Sequence, residues 1–136
     1  MTVEHAWIGA VTPSTAWVRA KVTGSSARLV VADNPGLSSP EVYTGSAPTS
    51  DGMVSLRATG LPPDRRWWWA VEEDSVVDLD TLGTFRTFPS TGEPASFTFA
   101  AVGDAEQSGA FVEQRQSNHP VFDELRDRAF AEDWLL

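Results

Sequence analysis

Short runs of alternating apolar and polar residues recur along residues 1–90, separated by turn residues. His5–Val11 predicts a first strand, closed by Thr12-Pro13-Ser14. In Ala16–Val22 the alternation is strict: Trp17, Arg19 and Lys21 share one face, and Ala16, Val18, Ala20 and Val22 share the other. Thr23-Gly24-Ser25-Ser26 is a turn. Arg28–Ala32 predicts a third strand, ended by Asp33-Asn34-Pro35-Gly36. A Ser/Pro-rich connection, Leu37–Ser50, contains one short edge strand at Glu41–Thr44. Met53–Ala58 sets Met53, Ser55 and Arg57 opposite Val54, Leu56 and Ala58. Beyond Gly60-Leu61-Pro62-Pro63-Asp64, strands are expected at Arg66–Glu73, Val76–Leu79 and Gly83–Phe88, the last ending at Pro89. Roughly six or seven short strands at this spacing, without helical periodicity, predict an antiparallel β-sandwich.

The pattern changes after a short linker at residues 91–94. Ala95–Val102 is a nearly continuous apolar run, as in a strand covered on both faces of a parallel sheet. It ends at Gly103-Asp104, and a polar stretch follows from Ala105 to Asn118. A helix is expected from Pro120, capped by Asn118 or His119. Val121, Phe122, Leu125, Ala129 and Phe130 form its apolar stripe, against Asp123, Glu124, Arg126, Asp127 and Arg128. After Ala131-Glu132-Asp133, Trp134-Leu135-Leu136 reads as the start of another buried strand. The chain as a whole is therefore expected to be mainly β, with an incomplete α/β segment of βαβ type at residues 95–136.

Composition narrows the function classes. The chain contains no cysteine, which removes disulfides, thiolate metal sites and cysteine nucleophiles. Net charge is −9. Residues 1–92 carry 7 Lys/Arg and 10 Asp/Glu, whereas residues 93–136 carry 3 and 9, so the acidic excess is denser towards the end. That balance argues against nucleic-acid binding through phosphate neutralisation. No apolar run is long enough to span a bilayer, and Met-Thr-Val-Glu-His opens the chain without a signal-peptide pattern.

Trp67, Trp68 and Trp69 are consecutive, so strand alternation sends Trp67 and Trp69 one way and Trp68 the other. Trp67 and Trp69 are expected in the core. Three roles stay open for Trp68: packing against a neighbouring domain, lying on the outer sheet face, or stacking on a sugar or other ligand. The two histidines, His5 and His119, are expected to be structural. Asp104, at the end of its apolar run, is placed where α/β sheets gather ligands, although by spacing alone an aspartate there is more often a turn or cap residue.

Leu61-Pro62-Pro63-Asp64-Arg65-Arg66-Trp67-Trp68-Trp69-Ala70-Val71 resembles the fibronectin type III pattern, in which a leucine and a proline-containing turn lead into an aromatic strand. That pattern has a tyrosine where this chain has Trp67, which can donate a hydrogen bond through its indole N–H but has no hydroxyl. Val102-Gly103-Asp104-Ala105-Glu106 is similar to the first metal-binding motif of calcineurin-like metallophosphoesterases. Glu106 stands where that motif usually has a histidine. Together with Ile8–Pro13, Phe85–Pro89 and Ser117–Asp123, the layout resembles alkaline phosphatases of the PhoD-like kind. Here Gly103-Asp104-Ala105 replaces the Gly-Ser-Cys phrase common in that family.

The resemblance implies a fibronectin III/immunoglobulin-like domain at residues 1–90, a linker at 91–94 and the start of a metallophosphoesterase domain at 95–136. It implies divalent or trivalent metal ions in the complete enzyme, with Asp104 and Glu106 as the ligands within this chain. Its partner would be a phosphate-ester substrate, and the parent would be secreted or periplasmic. The later ligand motifs of the family do not occur before Leu136, so the chain alone is expected to hold no metal tightly and to be inactive. Two other functions remain open: a non-catalytic β-sandwich module that binds protein or carbohydrate, and a structural piece that dimerises through residues 95–136.

Overall fold

The structure is a computed structural model; it describes Val3–Phe99 and, beyond them, Glu124, Leu125, Asp127, Arg128, Ala131 and Glu132. The chain divides into two compact units, Met1–Ala95 and Ser96–Leu136. The first contains seven strands: β1 (Val3–Gly9), β2 (Thr15–Val22), β3 (Ala27–Ala32), β4 (Glu41–Thr44), β5 (Met53–Thr59), β6 (Arg66–Glu73) and β7 (Val76–Arg86). They form a three-stranded sheet, β1-β2-β5, and a four-stranded sheet, β4-β3-β6-β7, with antiparallel pairing throughout. This is the antiparallel sandwich that the turn spacing predicts, of the fibronectin III/immunoglobulin type that the resemblance implies.

The period of two decides what lies between the sheets. Ala16, Val18, Ala20 and Val22 of β2 meet Val54, Leu56 and Ala58 of β5 in one core, with Ala27, Leu29 and Val31 of β3 and Trp67, Trp69 and Val71 of β6. Trp67 and Trp69 are buried as expected, and Trp68 is half-buried at the alternate position of β6. Trp69 has room because Gly83 stands directly opposite it; a Cβ on Gly83 would lie 2.7 Å from the indole.

Several boundaries differ from the sequence expectation, and three of the differences have a local reason. β1 ends at Gly9 rather than Val11, because Ala10 takes a positive φ of 46° and leaves the extended conformation. Val76–Leu79 and Gly83–Phe88 are not two strands but parts of one, β7, carrying an irregularity opposite Trp69 and Val71. Thr81 holds that irregularity in register: its hydroxyl accepts from the Val71 N–H at 2.9 Å and donates to the Asp78 carbonyl at 2.6 Å. The expected strand Ala95–Val102 is also revised in the part that is described. Ala95–Thr98 form no strand, Phe99 makes one isolated bridge, and Phe97 and Phe99 are largely exposed. An apolar run of this kind needs neighbouring strands to cover it, and among the described residues no strand pairs in parallel. Farther on, Glu124, Leu125, Asp127, Arg128, Ala131 and Glu132 are helical, with a Glu124–Arg128 pair one turn apart at 3.0 Å. The remaining residues of the expected helix and the strand expected from Trp134 lie outside the described residues.

The corner between β5 and β6 is tied by Thr87, which is fully buried. Its hydroxyl donates to the Pro62 carbonyl at 2.7 Å and accepts from the Arg65 N–H at 3.1 Å. Its own N–H donates to the Arg65 carbonyl at 2.9 Å. At the other end of the sandwich, Asp74 accepts from Ser25 and Ser26, through both their N–H groups and their hydroxyls. The Ser26 hydroxyl, then Ser25, hold the Asp74 carboxyl below its ordinary range.

Thr87→Val keeps the shape and deprives the part-buried Pro62 carbonyl and Arg65 N–H of their hydroxyl partner, so it should lower unfolding free energy by about 1 kcal/mol, while Thr87→Ser loses less; urea titration measures both. Gly83→Ala should cost about 1–3 kcal/mol in the same assay by forcing the Trp69 indole aside. A depressed carboxyl pKa stabilises above the unfolded value and ceases to do so as pH falls through the folded one. Asp74→Asn should therefore destabilise at neutral pH, with the difference from the parent shrinking below about pH 4.

Candidate functional site

The open face of the β1-β2-β5 sheet carries the most distinctive surface among the described residues. Alternation that buries Ala16, Val18 and Ala20 sends Trp17 and Arg19 outward. β1 adds Trp7 and Gly9, and β5 adds Ser55 and Arg57. The register sets these six residues in two rows across the sheet: Gly9–Trp17–Arg57, and Trp7–Arg19–Ser55. The two tryptophans are thus diagonal neighbours on adjacent strands. Trp7 is 49% exposed and Trp17 39%, a degree that packing against the protein's own core does not explain.

Between them runs an open groove of about 560 Å³, lined by Trp7, Gly9, Ala10, Trp17, Arg19 and Ser55. Gly9 forms open floor, since a Cβ there would meet nothing within 4 Å. Ala10, with its positive φ, sits at the end of the groove. The Arg57 guanidinium lies 5.3 Å from the centre of the Trp17 ring and steadies it without lining the groove.

Electrostatics single out the same face. Lys21 pairs with Glu4 at 2.7 Å, Arg65 with Asp33 at 3.1 Å, Arg86 with Asp64 at 2.9 Å, and Arg28 with Glu72. Arg19 and Arg57 have no acidic partner among the described residues, and no carboxylate lines the groove. In a chain of net charge −9, two arginines beside two exposed tryptophans are locally cationic.

Of the residues singled out from the sequence, Asp104, Glu106 and His119 lie outside the described residues. His5 is exposed on β1. Among the described residues no group of three His, Asp or Glu side chains could hold a metal ion. Trp67 and Trp69 are core residues, and their indole N–H groups have no hydrogen-bond partner among the described residues. The sequence carries one signal for the groove: Trp17 alternates with Arg19 and Lys21, opposite four small apolar residues.

No family model and no curated protein matches the chain. Solved structures do resemble it. PhoD superposes with a TM-score of 0.57 at 13% identity, over 70% of this chain and 21% of PhoD. The solution structure of the sensor domain of the anti-sigma factor RsgI4 in Pseudobacteroides cellulosolvens gives 0.50 at 14% identity, over 74% and 92% of the two chains. A fibronectin type III domain derived from human KIAA0970 protein gives 0.47 at 9% identity, over 70% and 77%. The chain thus spans about a fifth of the length of PhoD, and at these identities the likeness is one of fold.

Arg57 and Trp17 should show a coupling of about 0.5–1 kcal/mol in a double-mutant cycle of Arg57→Ala and Trp17→Ala followed by urea unfolding; additive effects would remove the contact from the account.

Proposed function

We propose that the chain is the amino-terminal part of a metal-dependent phosphatase of the PhoD-like kind. The parent would hydrolyse phosphate monoesters or diesters, and the sandwich would serve as the scaffold that precedes its catalytic domain. The observation that carries this reading is the agreement of two independent features. The fold matches PhoD over 70% of this chain. The sequence, in the same order, presents the phrases Ile8–Pro13, Phe85–Pro89 and Val102–Glu106.

In this reading Asp104 is a metal ligand at the end of the apolar run, with Glu106 as a second candidate. The metal would activate a water and neutralise the charge that develops on phosphorus. The described residues offer no group of three ligands, so no step of that reaction is assigned to the sandwich itself. In this reading the remaining ligands would come from outside this chain, and this chain alone should be inactive.

The test uses the longer natural protein. Asp104→Ala should reduce bound metal, measured by elemental analysis, and lower hydrolysis of p-nitrophenyl phosphate and its bis ester by at least about 100-fold. The isolated chain should hydrolyse neither. Full metal content and full activity in the Asp104→Ala protein would contradict the assignment.

A further inference from the structure

We propose that the groove between Trp7 and Trp17 binds an acidic saccharide, taking the flat face of a uronic-acid ring between the indoles and its carboxylate on Arg19. This site is separate from the phosphatase reading and does not depend on it.

The shape comes first. Two indoles on diagonal positions leave a slot over Gly9, and that slot is about 560 Å³, within the range of small-ligand clefts (~300–1,000 Å³). A pyranose is itself a flat, largely C–H surface with polar groups at its rim. Indoles match the face, and the groove's polar groups, Arg19 and Ser55, match the rim. Arg57 holds one wall in place by lying over Trp17. Ala10 is held at φ 46° where the groove ends, a backbone conformation of the kind that clusters at ligand clamps.

Charge then selects among ring-shaped ligands. Arg19 is an exposed cation with no acidic partner among the described residues and no competing carboxylate in the groove. A planar guanidinium pairs best with a planar carboxylate, through two parallel hydrogen bonds. A uronic acid carries that carboxylate on the ring itself, so stacking and pairing occur together.

Other occupants fit less well. A two-fold dimer through this face would set the unpaired arginines, Arg19 and Arg57, against the same cationic face of a second chain of net charge −9. A nucleic acid would need many more phosphate contacts than two unpaired arginines supply.

The test is a titration of the 136-residue chain with trigalacturonate, following the tryptophan indole N–H signals by NMR. Binding should be saturable, shift the Trp7 and Trp17 signals, and leave Trp67 and Trp69 in place. It should weaken as NaCl rises from about 0.05 to about 0.5 M. Gly9→Phe fills the slot from a position with open space around it, and should reduce affinity at least about tenfold with an unchanged unfolding curve. Trp7→Ala, at an exposed position, should do the same should Gly9→Phe perturb folding, and Arg19→Met should remove the preference for trigalacturonate over neutral cellotriose. Absence of saturable binding at about 10 mM overturns the proposal. So do equal binding of cellotriose, undiminished binding in both Gly9→Phe and Trp7→Ala, tighter binding of single-stranded DNA, and concentration-dependent dimerisation that shifts the same two indoles.

Discussion

The two-residue period of β2 is the constraint on which the rest of the molecule depends. Its inner positions, Ala16, Val18, Ala20 and Val22, are almost fully buried. They are small, so the opposite sheet can bring bulky Trp67 and Trp69 into the space they leave. Because that set must face inward, Trp17 and Arg19 must face outward. A slip of one residue would bury an arginine and expose the alanine and valine face, at a cost no local contact could offset. Core and groove are thus two consequences of one register.

A second constraint acts at the corner before β6. Fibronectin-like sandwiches close this corner with a tyrosine hydroxyl, and this chain has Trp67 there. Trp67 supplies packing and lies under the Arg65 guanidinium, 5.4 Å from its ring centre. Its N–H finds no partner among the described residues. The missing hydroxyl is instead supplied by Thr87, which comes from the end of β7 and binds both sides of the Pro62–Arg65 turn. The Phe88 N–H continues the tie to Thr12, whose hydroxyl organises the turn into β2. The corner therefore also fixes where β2 begins, and with it where Trp17 stands.

Much of this was legible in the sequence. Alternation in Ala16–Val22 and Met53–Ala58 gave faces that the structure reproduces residue by residue, and the edge strand Glu41–Thr44 has the expected bounds. The irregularity in β7 was not legible, because Asp80-Thr81-Leu82 looks like a break until Thr81 is seen bonding across to Val71. The groove was half legible. Trp17 could be sent outward from β2 alone, but its neighbours Trp7 and Arg57 come from strands whose register is a long-range property. Thr87 gave no signal at all, since a threonine after a strand has no pattern that marks it as a corner tie. Asp104 and Glu106 rest on the sequence resemblance, being outside the described residues.

The sandwich and the proposed phosphatase context are compatible with separate roles on one chain. A β domain that precedes a catalytic domain can hold a sugar-bearing surface near the enzyme without taking part in its chemistry. The groove itself follows from the outward placement of Trp7 and Trp17 and the inward placement of Trp67 and Trp69. Hydrogen exchange of the individual indole N–H groups, followed by NMR, measures that placement most directly. The account predicts rapid exchange at Trp7 and Trp17, and protection at Trp67 and Trp69 that approaches the global unfolding free energy. Strong protection of Trp7 and Trp17, or rapid exchange of Trp67 and Trp69 in the folded chain, would contradict it.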